Sequence, residues 1–455
     1  MKLLLAPNIL LRGWDLLPFA YVDTNTGYTS FVTKEDMSFL IKCNGLHDFI
    51  LDKRIDYFLN RGIVVESDRS IAEVQMYIKY PTRYIRQAHW AITNKCNFKC
   101  KHCFISAPHC NENDITFESC CKIVDELYSC GIYKLSITGG EPLIRTDFIS
   151  LLRYIKSKGI VVSDINTNGS IISDIFISEI KSLNIKPSFH VSYDGQKTHN
   201  WLRGVSNAEE LSLRGIKLLL GNGFNVTLSY CLYSDNVRNI IKNLNFIQDL
   251  GVKNVKLGLI NHIGEWNNVH VDKPLSVQSI LDEIISIIPT VIANNYSFSI
   301  DFAGFLKIGS NSSFYTIPIK KDYLDKQMLN KWICCETLRN TLYINPIGKL
   351  VGCEMLTGSS ITNAFPNILE TSLKNILINN TPFMNFIDMR LEELQSTSQS
   401  CNKCDYFCIC HGGCRGNANT NGNYLGKDPI ACCYFRNGYY QKIKELMDSF
   451  NIPLA

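Results

Sequence analysis

Short apolar runs rich in β-branched residues alternate with stretches of helical spacing from about residue 86 to 300. The strand candidates are 88–92, 134–138, 159–167, 189–193, 225–230 and 255–260, and helices fit between them, for example over 117–130, 147–158 and 171–183. Alternation of this kind predicts an α/β fold with parallel strands joined by right-handed crossovers. Six units are too few to close an eight-fold barrel. The pattern therefore predicts an open, partial (β/α)6 TIM-like barrel over 86–305, with its active site at the carboxyl ends of the strands.

Residues 1–70 read as a separate α+β unit. A turn at 23–27 divides strand-like runs at 20–22 and 28–32; residues 34–44 and 46–60 carry helical apolar spacing, and 62–65 reads as a closing strand. Three strands with helices on one face describe a winged-helix-like module. Past residue 310 the alternation stops and cysteines cluster, which predicts a third, cofactor-rich domain over 310–455.

A chain of 455 residues exceeds a single core, in keeping with three domains. The net charge of +4 is spread without a long basic run, so no nucleic-acid partner is implied. The apolar start Met1–Ala6 is broken by Pro7, Asn8 and Arg12 before an export signal develops, and no run reaches the roughly 20 apolar residues that span a bilayer. The expectation is a cytoplasmic protein without a membrane partner. Thiols stay reduced there, so the 19 cysteines are expected to bind metal rather than to form a disulfide framework.

Cys96, Cys100 and Cys103 are spaced Cys-x3-Cys-x2-Cys directly after the first barrel strand. Three thiolates on one short loop can hold three irons of a cubane cluster and leave the fourth iron open. The second strand ends in Thr138-Gly139-Gly140-Glu141-Pro142-Leu143, where two glycines let the backbone approach a ligand closely. Further on come Cys335, Gly348, Cys353, then Cys401-x2-Cys404-x5-Cys410-x3-Cys414 and the pair Cys432-Cys433. A zinc ribbon is the competing reading of the Cys-x2-Cys pair.

The cysteine loop followed by Gly-Gly-Glu resembles the radical S-adenosylmethionine (radical SAM) enzymes, and the later cysteines resemble the seven-cysteine signature of the SPASM domain. In size, element order and position, residues 1–70 resemble the peptide-recognition element of enzymes that modify ribosomal peptides. The resemblance implies an oxidoreductase with a [4Fe-4S] cluster, S-adenosylmethionine, and one or two auxiliary iron–sulfur clusters. It places His102 near the adenine, Gly139, Gly140 and Glu141 near the methionyl amine, Ser192 near the ribose, and Arg203 near the methionyl carboxylate. It gives Cys335 (or Cys334), Cys353 and Cys414 to one auxiliary cluster, and Cys401, Cys404, Cys410 and Cys432 (or Cys433) to another. The fourth ligand of the first stays open, with the second member of the Cys334–Cys335 pair and Cys408 as candidates. Glu354, beside Cys353, matches the place of an acidic base in sulfatase-maturing relatives. Cys110, just past the cluster loop, could donate a hydrogen atom. Cys43, Cys120, Cys121, Cys130 and Cys231 read as small buried residues.

The expected function is maturation of a ribosomally made precursor peptide, by oxidative thioether cross-linking through a 5′-deoxyadenosyl radical. Carbon–carbon cross-linking, epimerisation, sulfatase-type side-chain oxidation and a non-catalytic redox sensor are the alternatives. The expected partners are a precursor peptide with its leader, and an electron donor such as flavodoxin or ferredoxin.

Overall fold

In the computed structural model, which describes residues 1–67, 76–109, 113–269, 275–319 and 331–455, the apolar start of the chain is a strand. Lys2–Leu5 (β1) and Ile9–Gly13 (β2) precede Ala20–Asp23 (β3), Tyr28–Phe31 (β4), helix Lys34–Lys42 (α1), Asn44–Asp48 (β5), helix Lys53–Asn60 (α2), Val64–Glu66 (β6) and Ile78–Lys79 (β7). They make two sheets, β5-β1-β6 and β4-β3-β2-β7, rather than the one three-stranded sheet expected. Residues 46–48 belong to β5, not to a helix over 46–60. Asp52 caps α2, its carboxylate accepting from Ile55 N at 2.8 Å, and fixes the start of the helix there. Gly45, at φ +77°, lets the chain turn from α1 directly into β5.

Leu3, Leu11, Leu40, Ile55 and Phe58 bury a small core between these sheets and helices. Two polar contacts anchor this unit to residues 130–133. Trp14 Nε1 donates to Cys130 O at 3.1 Å and Arg12 Nε to Tyr133 Oη at 2.7 Å.

The six barrel strands are present: Gln87–Ala91 (β8), Lys134–Thr138 (β9), Val161–Thr167 (β10), Ser188–Ser192 (β11), Val226–Leu232 (β12) and Asn254–Leu259 (β13). All run parallel in sequence order. Helices Phe117–Ser129 (α3), Phe148–Ser157 (α4), Asp174–Ser182 (α5), His199–Arg203 (α6), Ala208–Gly221 (α7), Ser234–Val237 (α8), Ile240–Gln248 (α9) and Val277–Asn294 (α10) connect them. Side-chain caps start α3 and α5, with Thr116 Oγ1 accepting from Ser119 N and Ser173 Oγ from Phe176 N.

The sheet continues past both ends of this barrel. Ser299–Phe302 (β14) adds in parallel to β13, Leu306–Ile308 (β15) and Tyr315–Thr316 (β16) follow antiparallel, and Thr341–Ile344 (β17) lies parallel beside β8. A boundary between 305 and 310 therefore does not divide the sheet. Leu342 and Ile344 on β17 are fully buried, so the third segment seals an edge that β8 would otherwise expose.

Among the described residues, α10 is the helix whose length and apolarity suffice to cross a membrane: 18 residues at mean hydropathy 1.3. Its Ile280, Leu281, Ile284, Ile288 and Val291 recur every three or four residues and pack into the barrel core.

Candidate functional site

Strands β8 and β9 end side by side, with Ala91 opposite Thr138, so the loops that extend from them meet. Gly140 N donates to Thr93 O at 2.7 Å and Glu141 N to Lys95 O at 2.8 Å. A methyl group on Gly140 would stand 2.2 Å from Lys95 O, and one on Gly139, which sits at φ +157°, 2.7 Å from Thr93 O. The glycine pair is thus required by the packing of the Gly-Gly-Glu loop onto the cysteine loop.

Cys96, Cys100 and Cys103 line a cavity of about 340 Å³ together with His102, Gly139, Gly140, Ser192, Arg203 and Glu354. Burial pushes the Cys96 thiol up to about 12 and raises Cys100 and Cys103 as well. The positive charge that ionises such thiols arrives with a metal, which displaces their protons. Burial, with Arg203 adding to it, lowers His102 to about 3 and keeps its ring neutral. Among the described residues its buried Nδ1 has no hydrogen-bond partner, as a site awaiting a ligand would leave it. Three half-buried thiols, a close glycine backbone and an orphaned ring nitrogen on one cavity fit an iron–sulfur cluster with a polar cofactor.

Glu141 stands elsewhere. It is fully enclosed: Oε1 accepts from Thr167 Oγ1 at 2.8 Å and Leu143 N at 3.2 Å, and Oε2 from Asn168 N at 2.7 Å. Burial raises its carboxyl to about 7. This side chain ties the loops after β9 and β10 together from behind the cavity. Cys110 lies outside the described residues.

Arg203 is also largely committed. Its Nε and Nη2 donate to Asp194 Oδ2 at 2.7 Å and Oδ1 at 3.1 Å, leaving Nη1 at 3.8 Å from Cys100 Sγ. Asp194 is wholly buried, receives Cys231 N at 2.9 Å, and lies 3.0 Å from His199 Nδ1. Burial alone would raise its carboxyl, but Arg203 and His199 hold it well below the usual carboxylate range. From the same helix, Arg203 O and Leu202 O accept from Lys99 N and Lys101 N at 3.1 and 2.9 Å. One buried ion pair thus fixes the middle of the cysteine loop.

Local pattern did not single out several cavity residues. His89, on β8, lies with Nε2 2.9 Å from Glu354 Oε1 and stacks on Tyr343 at 5.2 Å, carrying the residue after Cys353 to the barrel mouth. A histidine inside the apolar run 88–92 was the available signal. Asn166, His190 and Ser229 also line the cavity. Cys43, Cys120 and Cys130 are buried, whereas Cys121 is half-buried. Cys231 departs from expectation too: alternation along β12 buries Tyr230 and Leu232 and turns Cys231 to the cavity.

The later cysteines gather in two groups. Burial pushes Cys353 up to about 12, with neighbouring Cys414 and Cys335 raising it further. Cys410 reaches about 12 by burial and by the nearness of Cys404, Cys401 and Cys432. The doublets are split by direction. Cys334 Sγ donates to Arg390 O at 3.2 Å, and Cys433 Sγ accepts from Asn437 Nδ2 at 3.6 Å. Among the described residues no three such side chains converge on one ion position; the thiolates of a cubane each take a different iron. A cavity of about 360 Å³ lined by Cys335, Cys414, Cys410 and Asp428 spans the two groups.

Residues 90–247 match the radical SAM superfamily, and residues 334–405 match the SPASM family, an iron-sulfur cluster-binding domain. The Fe-coproporphyrin III synthase of Methanosarcina barkeri is 24% identical over 77% of this chain and 89% of its own. The PqqA peptide cyclase of Granulibacter bethesdensis is 23% identical over 71% of this chain and 80% of its own. Streptococcus suis SuiB bound to precursor peptide SuiA has the same fold, with a TM-score of 0.66 at 13% identity over 95% of this chain and 100% of that one. Together with the partial barrel, these matches make the chain a radical SAM protein with a C-terminal SPASM domain, served by a [4Fe-4S] cluster with S-adenosylmethionine and by auxiliary iron–sulfur clusters.

Proposed function

We propose that this chain matures a ribosomally made precursor peptide, taking the peptide's leader on the N-terminal unit and forming a thioether cross-link at the barrel mouth. The observation that carries the reading is the open edge of β4. Among the described residues this strand pairs with β3 alone. Val32 N donates to Phe19 O, and the register pairs Ser30 with Tyr21, so alternation turns the backbone groups of Thr29 and Phe31 outward. Beside that edge a groove of about 520 Å³ is walled by Phe31, Val32, Tyr57 and Phe58, with Asp36 and Arg54 supplying charge. Exposed large apolar side chains concentrate in this unit, among them Tyr28, Phe31, Leu46, Ile50 and Tyr57. A strand with one open edge beside an apolar groove suits an extended peptide that adds a strand.

Thr29→Pro tests this by removing one outward N–H, with Thr29→Ala as the side-chain control. A lost backbone bond of about 0.5–1.5 kcal/mol plus the clash of the ring with an incoming strand should raise the KM for leader-bearing peptide roughly 10- to 100-fold. Turnover of a leaderless core peptide should stay as it was. Equal KM values for the proline and alanine variants would remove leader recognition from this edge.

When bound, the cluster and S-adenosylmethionine supply a 5′-deoxyadenosyl radical able to take hydrogen from an unactivated carbon. The chain's own residues position the partners: Asp194 and Arg203 hold the cysteine loop, and His89 holds Glu354 over the cavity. A thioether forms with loss of two hydrogen atoms, one from carbon and one from the substrate thiol. Glu354, over the cavity, would accept the thiol proton, and auxiliary clusters held by the later cysteines would supply the acceptor for the remaining electron. Glu354→Gln should therefore lower cross-linked peptide at least about tenfold while 5′-deoxyadenosine changes little. A proportional fall in both products would assign Glu354 to the structure of the mouth instead.

Similarity to the Fe-coproporphyrin III synthase favours a second reading, tetrapyrrole modification. Consumption of iron-coproporphyrin by the reconstituted protein, with a cysteine-bearing leader peptide left unchanged in mass, would establish it over the first.

A further inference from the structure

We infer that Lys99, Lys101 and Trp201 form the docking surface for an acidic one-electron carrier protein, the reductant of the cysteine-loop cluster. This rests on the reading that Cys96, Cys100 and Cys103 bind iron. The lysines flank Cys100 on either side in sequence, so whatever touches them comes within a residue of a cluster ligand. Their backbone is pinned by the carbonyls of Arg203 and Leu202.

The loop's other lysine, Lys95, is engaged by Asp114 at 3.8 Å. Among the described residues, neither Lys99 nor Lys101 pairs with a carboxylate. Lys99 is exposed, and the Lys101 ammonium lies 5.2 Å from the centre of the Trp201 ring.

Trp201 is 40% exposed, one of few large apolar side chains in the barrel that are. It is held rigid from below, stacked on Tyr233 at 5.1 Å and met edge-on by Trp266 at 6.5 Å. A fixed aromatic ring with the Lys101 ammonium over it, and an exposed lysine two residues earlier on the same loop, has the anatomy of an interface centre, where an apolar anchor gives affinity and charge steers the partner. The sign of the charge selects the partner. The chain carries a formal +4 and a pI near 8.2, and the cysteine loop itself adds two lysines, one on either side of Cys100, which favours encounter with an acidic protein.

In the step served, the reduced carrier gives up one electron and the cluster gains it. No proton or group moves. The surface differs from the leader edge in chemistry and place, since that edge is walled by apolar side chains of the N-terminal unit.

The test uses the reconstituted full-length chain, Lys99→Glu/Lys101→Glu and Trp201→Ala, with two readouts: 5′-deoxyadenosine formed, and, independently of turnover, flavodoxin binding by titration calorimetry. Each protein is driven either by an acidic flavodoxin, reduced by its NADPH-dependent reductase, or by dithionite. The double variant should need at least about tenfold more flavodoxin for half-maximal rate, and the wild-type rate with flavodoxin should fall as salt rises. Dithionite-driven rates should match across all three proteins. An unchanged flavodoxin requirement in the double variant overturns the docking surface. So does an equal loss with both reductants, which would make the lysines supports of the loop, and so does a changed KM for the peptide in place of that for the carrier. Wild-type protein that cleaves no cofactor under dithionite would instead overturn the underlying cluster reading.

Discussion

In Cys100→Ala, 5′-deoxyadenosine should fall to background and iron content should drop by about four atoms per chain, the loss of one cubane. Cys353→Ala should behave differently. It removes a thiol from the group of Cys335 and Cys414, distant in sequence from the cysteine loop though joined to its cavity through Glu354 and His89. Cofactor cleavage should therefore persist, and cross-linked peptide should be lost. The reason lies in how the thiols are held. Cys100 sits on a loop pinned by α6 and faced by Arg203 Nη1, whereas Cys353 lies among the later cysteines. Iron analysis, electron paramagnetic resonance of the reduced protein and product counting separate these outcomes. A Cys353→Ala protein that loses cofactor cleavage would show that the two cysteine groups do not act as separate centres.

That separation is legible in the sequence because cysteine order is a one-dimensional signal. So is the barrel, since Leu135, Ile137, Ile165 and Val191 bury one side chain after another along strands of regular spacing. Contacts that close across the fold are not legible. His89 meets Glu354 over 265 residues of sequence, and nothing in the local pattern of either announces the other. Arg203 can be assigned to a ligand carboxylate from its motif, but only the structure shows that Asp194 already holds two of its nitrogens. Glu141 is similar: an acidic residue after two glycines reads as a ligand contact until burial reveals three hydrogen bonds to the protein itself. The N-terminal unit misleads for a local reason. Helical spacing runs unbroken over 46–60, yet the capping bond of Asp52 begins the helix only at Lys53. Apolar Leu3–Leu5 resembles the start of an export signal, while its role depends on pairing with β5 and β6 far along the chain.

The Asp194–Arg203 pair carries the other large expected effect. Both groups are buried, and removing one partner of such a pair leaves an uncompensated charge, at a cost of about 3–5 kcal/mol. Asp194→Ala should lower unfolding stability by that amount and reduce 5′-deoxyadenosine to near background, because the loss also frees His199 and the Cys231 N–H and releases the carbonyls that hold Lys99 and Lys101. Loss of activity in an unstable protein would say little by itself, so the informative variant is the double one. Replacing a buried ion pair by apolar side chains of similar volume is often neutral. Asp194→Leu/Arg203→Met should therefore recover most of the stability in a denaturant titration. Cofactor cleavage should remain low, since Arg203 Nη1 no longer faces Cys100 Sγ and its charge no longer adds to that of the metal in stabilising the thiolate. Recovery of both stability and cleavage in the double variant would reduce the pair to a structural strut, and would leave His102 and the glycine loop to position the cofactor.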